Sequence, residues 1–382
     1  KIWEKIRYFV PAIIVLLILS ELVFVKGLPR GFNIQDQIEE NELAKYLQQQ
    51  DDKFRITPFD VTDLISFFGS SYYAQYGLET LSGGGGLWVN DFIKYLGIAK
   101  NYDSSKLLGI LNLKYGTSSK KVDIPGFKEV KKFKECISCK ASDWTLWIAG
   151  PYLYENEDFL PRYYFVKNSI LVIGDSAQTQ DMVYTILLDK NFNPENTVII
   201  QGKNKINEHD IDFLKKFNVV ILLQNSIDQN SLPLLQQYKE FGGNIFPDIL
   251  DNKNAFDISE ISSLLKSFKG KLIEADSNIL SPNEIELTTE NKGFLVLSEK
   301  FAMFEGWSAE KNGNNVDILR ADAVISSVYV DSPGTIKFKY RPKSFNLGLM
   351  ISLITLSIIL IYGLFSLRRK LANAKKEKQK NM

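Results

Sequence analysis

SILVIGD (169–175), DMVYTILLDKN (181–191) and NTVIIQG (196–202) form the stretch that decides the fold. The first and third are short apolar runs without alternation, as expected of strands buried on both faces, and the longer middle one reads as a helix joining them. The pattern then repeats. NEHDIDFLKKF (207–217) reads as a helix and NVVILLQ (218–224) as a strand, while SLPLLQQYKEFGGNIF (231–246) gives a helix, a Gly-Gly stop and a fourth strand. Strands that alternate with helices indicate a parallel sheet covered by helices. Such sheets take ligands beyond the carboxyl ends of their strands. Asp175 and Ser176, directly after the first strand, are therefore candidate ligand-binding residues, with a purely structural loop as the alternative. The G-x-G-x-x-G fingerprint is absent, which argues against a dinucleotide.

On both sides of this block the pattern turns to short strands. Downstream lie IELTT (285–289), GFLVLSEKF (293–301), NVDILRA (315–321), AVISSVYV (323–330) and GTIKFKY (334–340), with turns at Asn312-Gly313 and Pro333-Gly334. Upstream, FKEVKKFKECISCKASDWTLWIAGPYLYEN (127–156) alternates polar and apolar residues as half-buried antiparallel strands do. Further upstream, QDQIEENELAKYLQQQ (35–50) reads as a helix, FRITPF (54–59) as a strand, and LLGILNLKYGTSS (107–119) as a helix running into a strand. Strands flanking an α/β block predict a β-sandwich-like domain interrupted by an inserted α/β domain.

Two long apolar runs frame the whole. FNLGLMISLITLSIILIYGLF (345–365) carries no charge and, as a helix, is long enough to cross a bilayer of about 30 Å. Seven Lys/Arg against Glu377 follow it, which marks that end as cytoplasmic. YFVPAIIVLLILSELVFV (8–25) is the second run, with Lys1, Lys5 and Arg7 before it and no small-residue cleavage site after Val25. The expected organisation is a cytoplasmic flank (1–7), a membrane span (8–25), an exterior α+β region (26–165), an inserted α/β domain (166–280), further exterior strands (281–344), a second span (345–366) and a basic cytoplasmic tail (367–382). The fold class expected is thus α+β and membrane-anchored, in a cell membrane with both termini inside.

Charge and composition narrow the function. The net charge of +1 conceals basic ends and a net −7 over residues 8–366, which argues against a nucleic-acid partner and directs the tail to anionic lipid heads. His209 is the only histidine, so a multi-histidine metal site is excluded, and no cofactor is expected. Gly83–Gly86 lacks the Lys-Ser/Thr of a phosphate loop. Tyr72, Tyr73 and Trp88 beside it are candidates for stacking on sugar rings, with core packing as the simpler reading. Cys136 and Cys139 fall in a β-like run, where a helix-borne redox motif does not fit. A short-range disulfide is the first reading of this pair, free thiols the second, and half of a shared zinc site the third.

Tyr154-Glu155-Asn156 with Leu160-Pro161-Arg162 resembles the Y-E-N-x-x-x-L-P-R junction of YfhO-type polytopic membrane proteins. GFLVLSEKF, Gly306-Trp307, Lys311-Asn312-Gly313 and KFKYRPKSFNLGLMISLI resemble the end of the same proteins. The resemblance covers 35–165 loosely and 284–365 more closely. It implies kinship with GT-C-like membrane glycosyltransferases, which draw sugar from a polyprenyl-phosphate donor outside the membrane. In such proteins the catalytic acids lie in an N-terminal multi-span half, with no counterpart here. The expectation is an exterior accessory or acceptor-binding domain of a longer protein or of a larger envelope complex, without a catalytic residue of its own. A non-enzymatic tethered binding or assembly module is the alternative. VVILLQNSIDQNSLPLLQQYKEFGGNIF (219–246) is similar to class I amidotransferase-like domains, but the block has no cysteine nucleophile.

Overall fold

The computed structural model describes residues 41–59, 73, 76–81, 89–102, 104–134, 150–251 and 257–380. The first apolar run, Tyr72, Trp88, Gly83–Gly86, Cys136 and Cys139 lie outside them. The chain divides into two compact units, one spanning Glu39–Tyr340 and the other including Arg341–Met382.

The larger unit is a mixed α/β structure with three sheets. The central sheet has nine strands. Its parallel part comprises β7 (Asn168–Ile173), β8 (Thr197–Gln201), β9 (Val219–Leu222) and β10 (Asn244–Phe246), in the order β10-β9-β7-β8. Ile170, Leu171, Val172 and Ile173 are all fully buried, which is the physical meaning of an apolar run without alternation. The helices between these strands are α4 (Ser176–Leu188), α5 (Ile211–Leu214) and α6 (Leu232–Glu240). Helix α4 begins five residues before the apolar run at 181, because the Asp175 carboxylate accepts from the Ala177 and Gln178 amides.

This sheet does not stop at the end of the parallel block. Beyond β8 it continues through β17 (Leu319–Ala321), β18 (Ile325–Val330), β14 (Gly293–Leu297), β6 (Tyr163–Val166) and β11 (Ile273–Glu274), all antiparallel. The α/β block expected as a separate insert and the later strands share one hydrogen-bonded sheet. The seam is narrow. A single pair, Ala321 opposite Ile200, joins β17 to β8. The seam is fastened by Asp322: its N–H donates to the Ile199 carbonyl at 2.9 Å, and its carboxylate accepts from the Ile199 N–H at 2.9 Å.

Period-two alternation explains the second face of the antiparallel part. Tyr163, Phe165, Leu295, Leu297, Val328 and Val330 share one apolar core with Ile285, Leu287, Ala309, Ile336 and Phe338. The latter come from a third sheet in the order β12-β13-β19-β15-β16. Its strands are β12 (Asp276–Ser281), β13 (Glu284–Thr289), β15 (Trp307–Lys311), β16 (Asn314–Val316) and β19 (Gly334–Tyr340). Tyr164, Val166, Phe294 and Val296, the alternating neighbours, point instead into the main core beneath the helices.

The first sheet has the order β2-β1-β3-β5-β4, from β1 (Arg55–Pro58), β2 (Glu79–Thr80), β3 (Leu113–Ser118), β4 (Phe127–Lys132) and β5 (Tyr152–Asn156). Helix α1 (Glu42–Gln48) packs Leu43, Ala44 and Leu47 into its core. Helices α2 (Asn90–Asn101) and α3 (Ser105–Ile110) contribute Phe92, Tyr95, Leu96 and Leu107 to the main core. The last, α7 (Ile258–Ser267), adds Ile261 and Leu265.

In the second unit, α8 (Lys343–Lys380) contains the apolar segment Lys343–Arg369, with mean hydropathy 2.4 over its most apolar window and none of that window buried within the chain. Among the described residues it is the one helix long and apolar enough to cross a membrane.

Candidate functional site

The Y-E-N…L-P-R stretch is a junction. The Asn156 amide donates to the carbonyls of Ser105 and Leu113, tying α3 and β3 to the end of β5. Its side-chain oxygen accepts from the Asp158 N–H, and the Asp158 carboxylate takes the Ser105 hydroxyl hydrogen bond. Helix α3 passes so close that a Cβ on Gly109 would stand 1.9 Å from the Asp158 carbonyl oxygen. Asn112, held at φ 62°, donates to the Lys53 and Leu160 carbonyls. These bonds converge on Arg162.

Arg162 is one arm of an ion cluster that joins the first and central sheets. Its Nε donates to Glu299 at 2.6 Å and its Nη1 to Glu79 at 2.6 Å. Arg55, from β1, donates to the other Glu299 oxygen at 3.1 Å and to the Leu111 and Ser298 carbonyls. Side-chain exposure is only 12% for each arginine and 14% for Glu299, so water screens these charges weakly. Burial alone raises the Glu299 carboxyl, but Arg55 and Arg162 outweigh it and hold the group below the usual carboxylate range. The backbone here is equally fixed: Ser298 Oγ donates to the Ile110 carbonyl and Ser326 Oγ to that of Glu299.

Beside the cluster lies a cavity of about 200 Å³, lined in part by Arg55, Leu81, Phe92, Leu111 and Lys300. The Lys300 ammonium stands 3.6 Å over the Phe92 ring. Burial, reinforced by the Arg55 charge, lowers its pKa to about 8. Chemically, the arrangement is a rigid two-arginine clamp with an amine of reduced basicity next to it. None of these residues is marked as a site by its own stretch of sequence, although Arg162 and Glu299 sit inside the two motifs that carry the resemblance.

The residues named from sequence fall elsewhere. Asp175 and Ser176 are exposed at the carboxyl end of β7, the expected place, but the Asp175 carboxylate caps α4. The crevice around them is bridged by the chain itself. Gly174 N–H donates to the Lys203 carbonyl, Leu223 N–H to Ile173, and Ile206 N–H to Ser226. Tyr73 is fully buried, and its hydroxyl lies 2.6 Å from Thr117 Oγ1, so it belongs to the core of the first sheet. Tyr72, Trp88, Cys136 and Cys139 lie outside the described residues.

His209 ends a short 3-10 turn at the same crevice, Ile206–Glu208. Its Nε2 accepts the Lys203 N–H at 3.1 Å and its ring stacks on Phe213, 4.6 Å between centroids. Burial, followed by the Lys203 charge, lowers its pKa to about 4, so the imidazole is neutral across the physiological range. Because the chain has one histidine, its ring resonances report this directly in proton NMR. The expected titration midpoint lies near 4. A midpoint near the ordinary value of about 6.5 would show a free imidazole instead.

The chain is thus a mixed α/β protein with several sheets and one exposed apolar helix at its carboxyl end. No family model matches its sequence, and no curated protein is detectably similar to it.

Proposed function

We propose that this chain is a membrane-anchored binding module without a catalytic centre of its own: the exterior, acceptor-binding accessory domain of a GT-C-like membrane glycosyltransferase. The reading is carried by how the carboxylates and the imidazole at the two candidate sites are engaged. Asp175 caps a helix, His209 accepts a backbone N–H, and Glu299 is held between two arginines. Each is committed to holding the fold, whereas a general acid or base needs a free proton-transfer face. Anchoring is supported by the apolar helix ending in Arg368 and Arg369, whose basic flank favours a cytoplasmic carboxyl terminus and an exterior globular unit. The first apolar run, 8–25, would supply the second span. Lipids, a polyprenyl-linked sugar or envelope glycan, and other envelope subunits are the partners this reading implies.

The composition of the native assembly tests it. The protein is extracted from membranes in mild detergent and its intact mass and peptide map are determined. Further multi-span sequence is expected, either continuous with Lys1 or recovered with the chain in equal amount. A natural chain that starts at Lys1 and is recovered alone overturns the glycosyltransferase reading in favour of a tethered assembly module.

A further inference from the structure

A second and larger cavity, about 360 Å³, opens where the β15–β16 hairpin meets α5 and the end of β18. That volume falls within the range of about 300–1,000 Å³ common for small-molecule sites. Its walls combine two kinds of surface. Phe213 and Tyr329 present half-buried aromatic rings, and the Lys216 ammonium lies over both, 5.3 Å and 5.5 Å from their centroids. The lining also includes Asn314, Asn315 and Asp317, whose side chains are exposed and make no hydrogen bond to the described residues.

The chemistry of the occupant follows from this inventory. The two amides offer donors and acceptors together, which suits hydroxyl groups that both give and accept. The charges balance: the lining carries Lys216 and Asp317, one of each sign, and Lys311 is already bonded to Asp331 and Ser332. A phosphate or other strong anion would meet the carboxylates, and a cation would meet Lys216. The aromatic rings favour a flat apolar face, such as the C–H face of a sugar ring. We infer that this groove binds a neutral saccharide, its ring stacked on Tyr329 and its hydroxyls bonded to Asn314, Asn315 and Asp317. The inference deepens the acceptor-binding reading, on which it rests, by giving that role a location.

The test uses the full chain in detergent micelles and saturation-transfer NMR with a panel of neutral hexose and N-acetylhexosamine disaccharides. Saturable binding of at least one is expected. The paired change Asn315→Ala and Asp317→Ala, both at exposed positions, is expected to weaken it about tenfold, as for two lost hydrogen bonds. Tyr329→Ala should abolish it, with circular dichroism confirming the fold. Lys94→Ala, which removes an exposed pair with Asp181 and a contact over the Tyr184 ring but nothing in the groove lining, should leave binding unchanged. No saturable binding to any sugar, or binding indifferent to the paired change, overturns the groove. These outcomes separate from the assembly test: sugar binding by a chain recovered alone retains the groove and removes only the glycosyltransferase reading, while a multi-span assembly without sugar binding does the converse.

Discussion

Replacing Glu299 by Gln is expected to lower stability by about 3–5 kcal/mol, the cost of leaving a buried charge without its partner. Arg162 and Arg55 reach the two oxygens of this one carboxylate from different segments, and both are almost inaccessible. The neutral amide removes the attraction but leaves two guanidinium groups desolvated. Glu79 is half exposed, so Glu79→Gln should cost no more than about 1 kcal/mol. Denaturant unfolding of the two variants side by side gives the comparison. A loss below about 1 kcal/mol for Glu299→Gln would show that the cluster is not a clamp. The acid limb gives a second signature. Since the folded carboxyl titrates below its unfolded value, its contribution is present above the ordinary carboxylate range and is lost as pH falls through the lowered value. That loss should be absent from the variant.

Asp322 behaves in the opposite sense. One of its oxygens takes the Ile199 N–H, while the other has no partner in the buried interior. Burial pushes the group up to about 7, against which the single backbone bond pulls only weakly. Between about pH 4 and 7 the folded chain therefore holds a proton that the unfolded chain has released. Stability falls as pH rises through this window, by up to about 4 kcal/mol for a displacement of this size. Asp322→Asn keeps an acceptor for Ile199 and removes the charge. The variant is expected to match the parent below about pH 4 and to exceed it at pH 8. Parallel stability curves for the two proteins across this window would contradict the assignment.

How much of this was legible beforehand depended on how local each feature is. The parallel strands announced themselves because β7, β8 and β9 are buried on both faces and so lack polar positions. Asp175 was placed at the strand end by the same pattern, yet its role as a cap depends on amides at 177 and 178 that an apolar run starting at 181 did not place in the helix. The continuity of the central sheet was illegible, because its seam pairs residues more than 120 positions apart through a single bridge. The clamp was hidden for a related reason. Arg55, Arg162 and Glu299 each look like surface charges within their own segments, and only the meeting of two sheets makes them neighbours. The saccharide groove is assembled from α5, the β15–β16 hairpin and β18, so no window of sequence contains it.

The narrow seam has a mechanical consequence. A sheet resists pulling in proportion to the bonds that must break together, and elsewhere adjoining strands are zipped along two to six residue pairs. Between β8 and β17 the load rests on one pair and the bonds of Asp322. If force enters at the anchored end and leaves through a held ligand, the central sheet parts along this line first. The Ile199 amide, which bonds across this line, is then expected to exchange with water ahead of its neighbours.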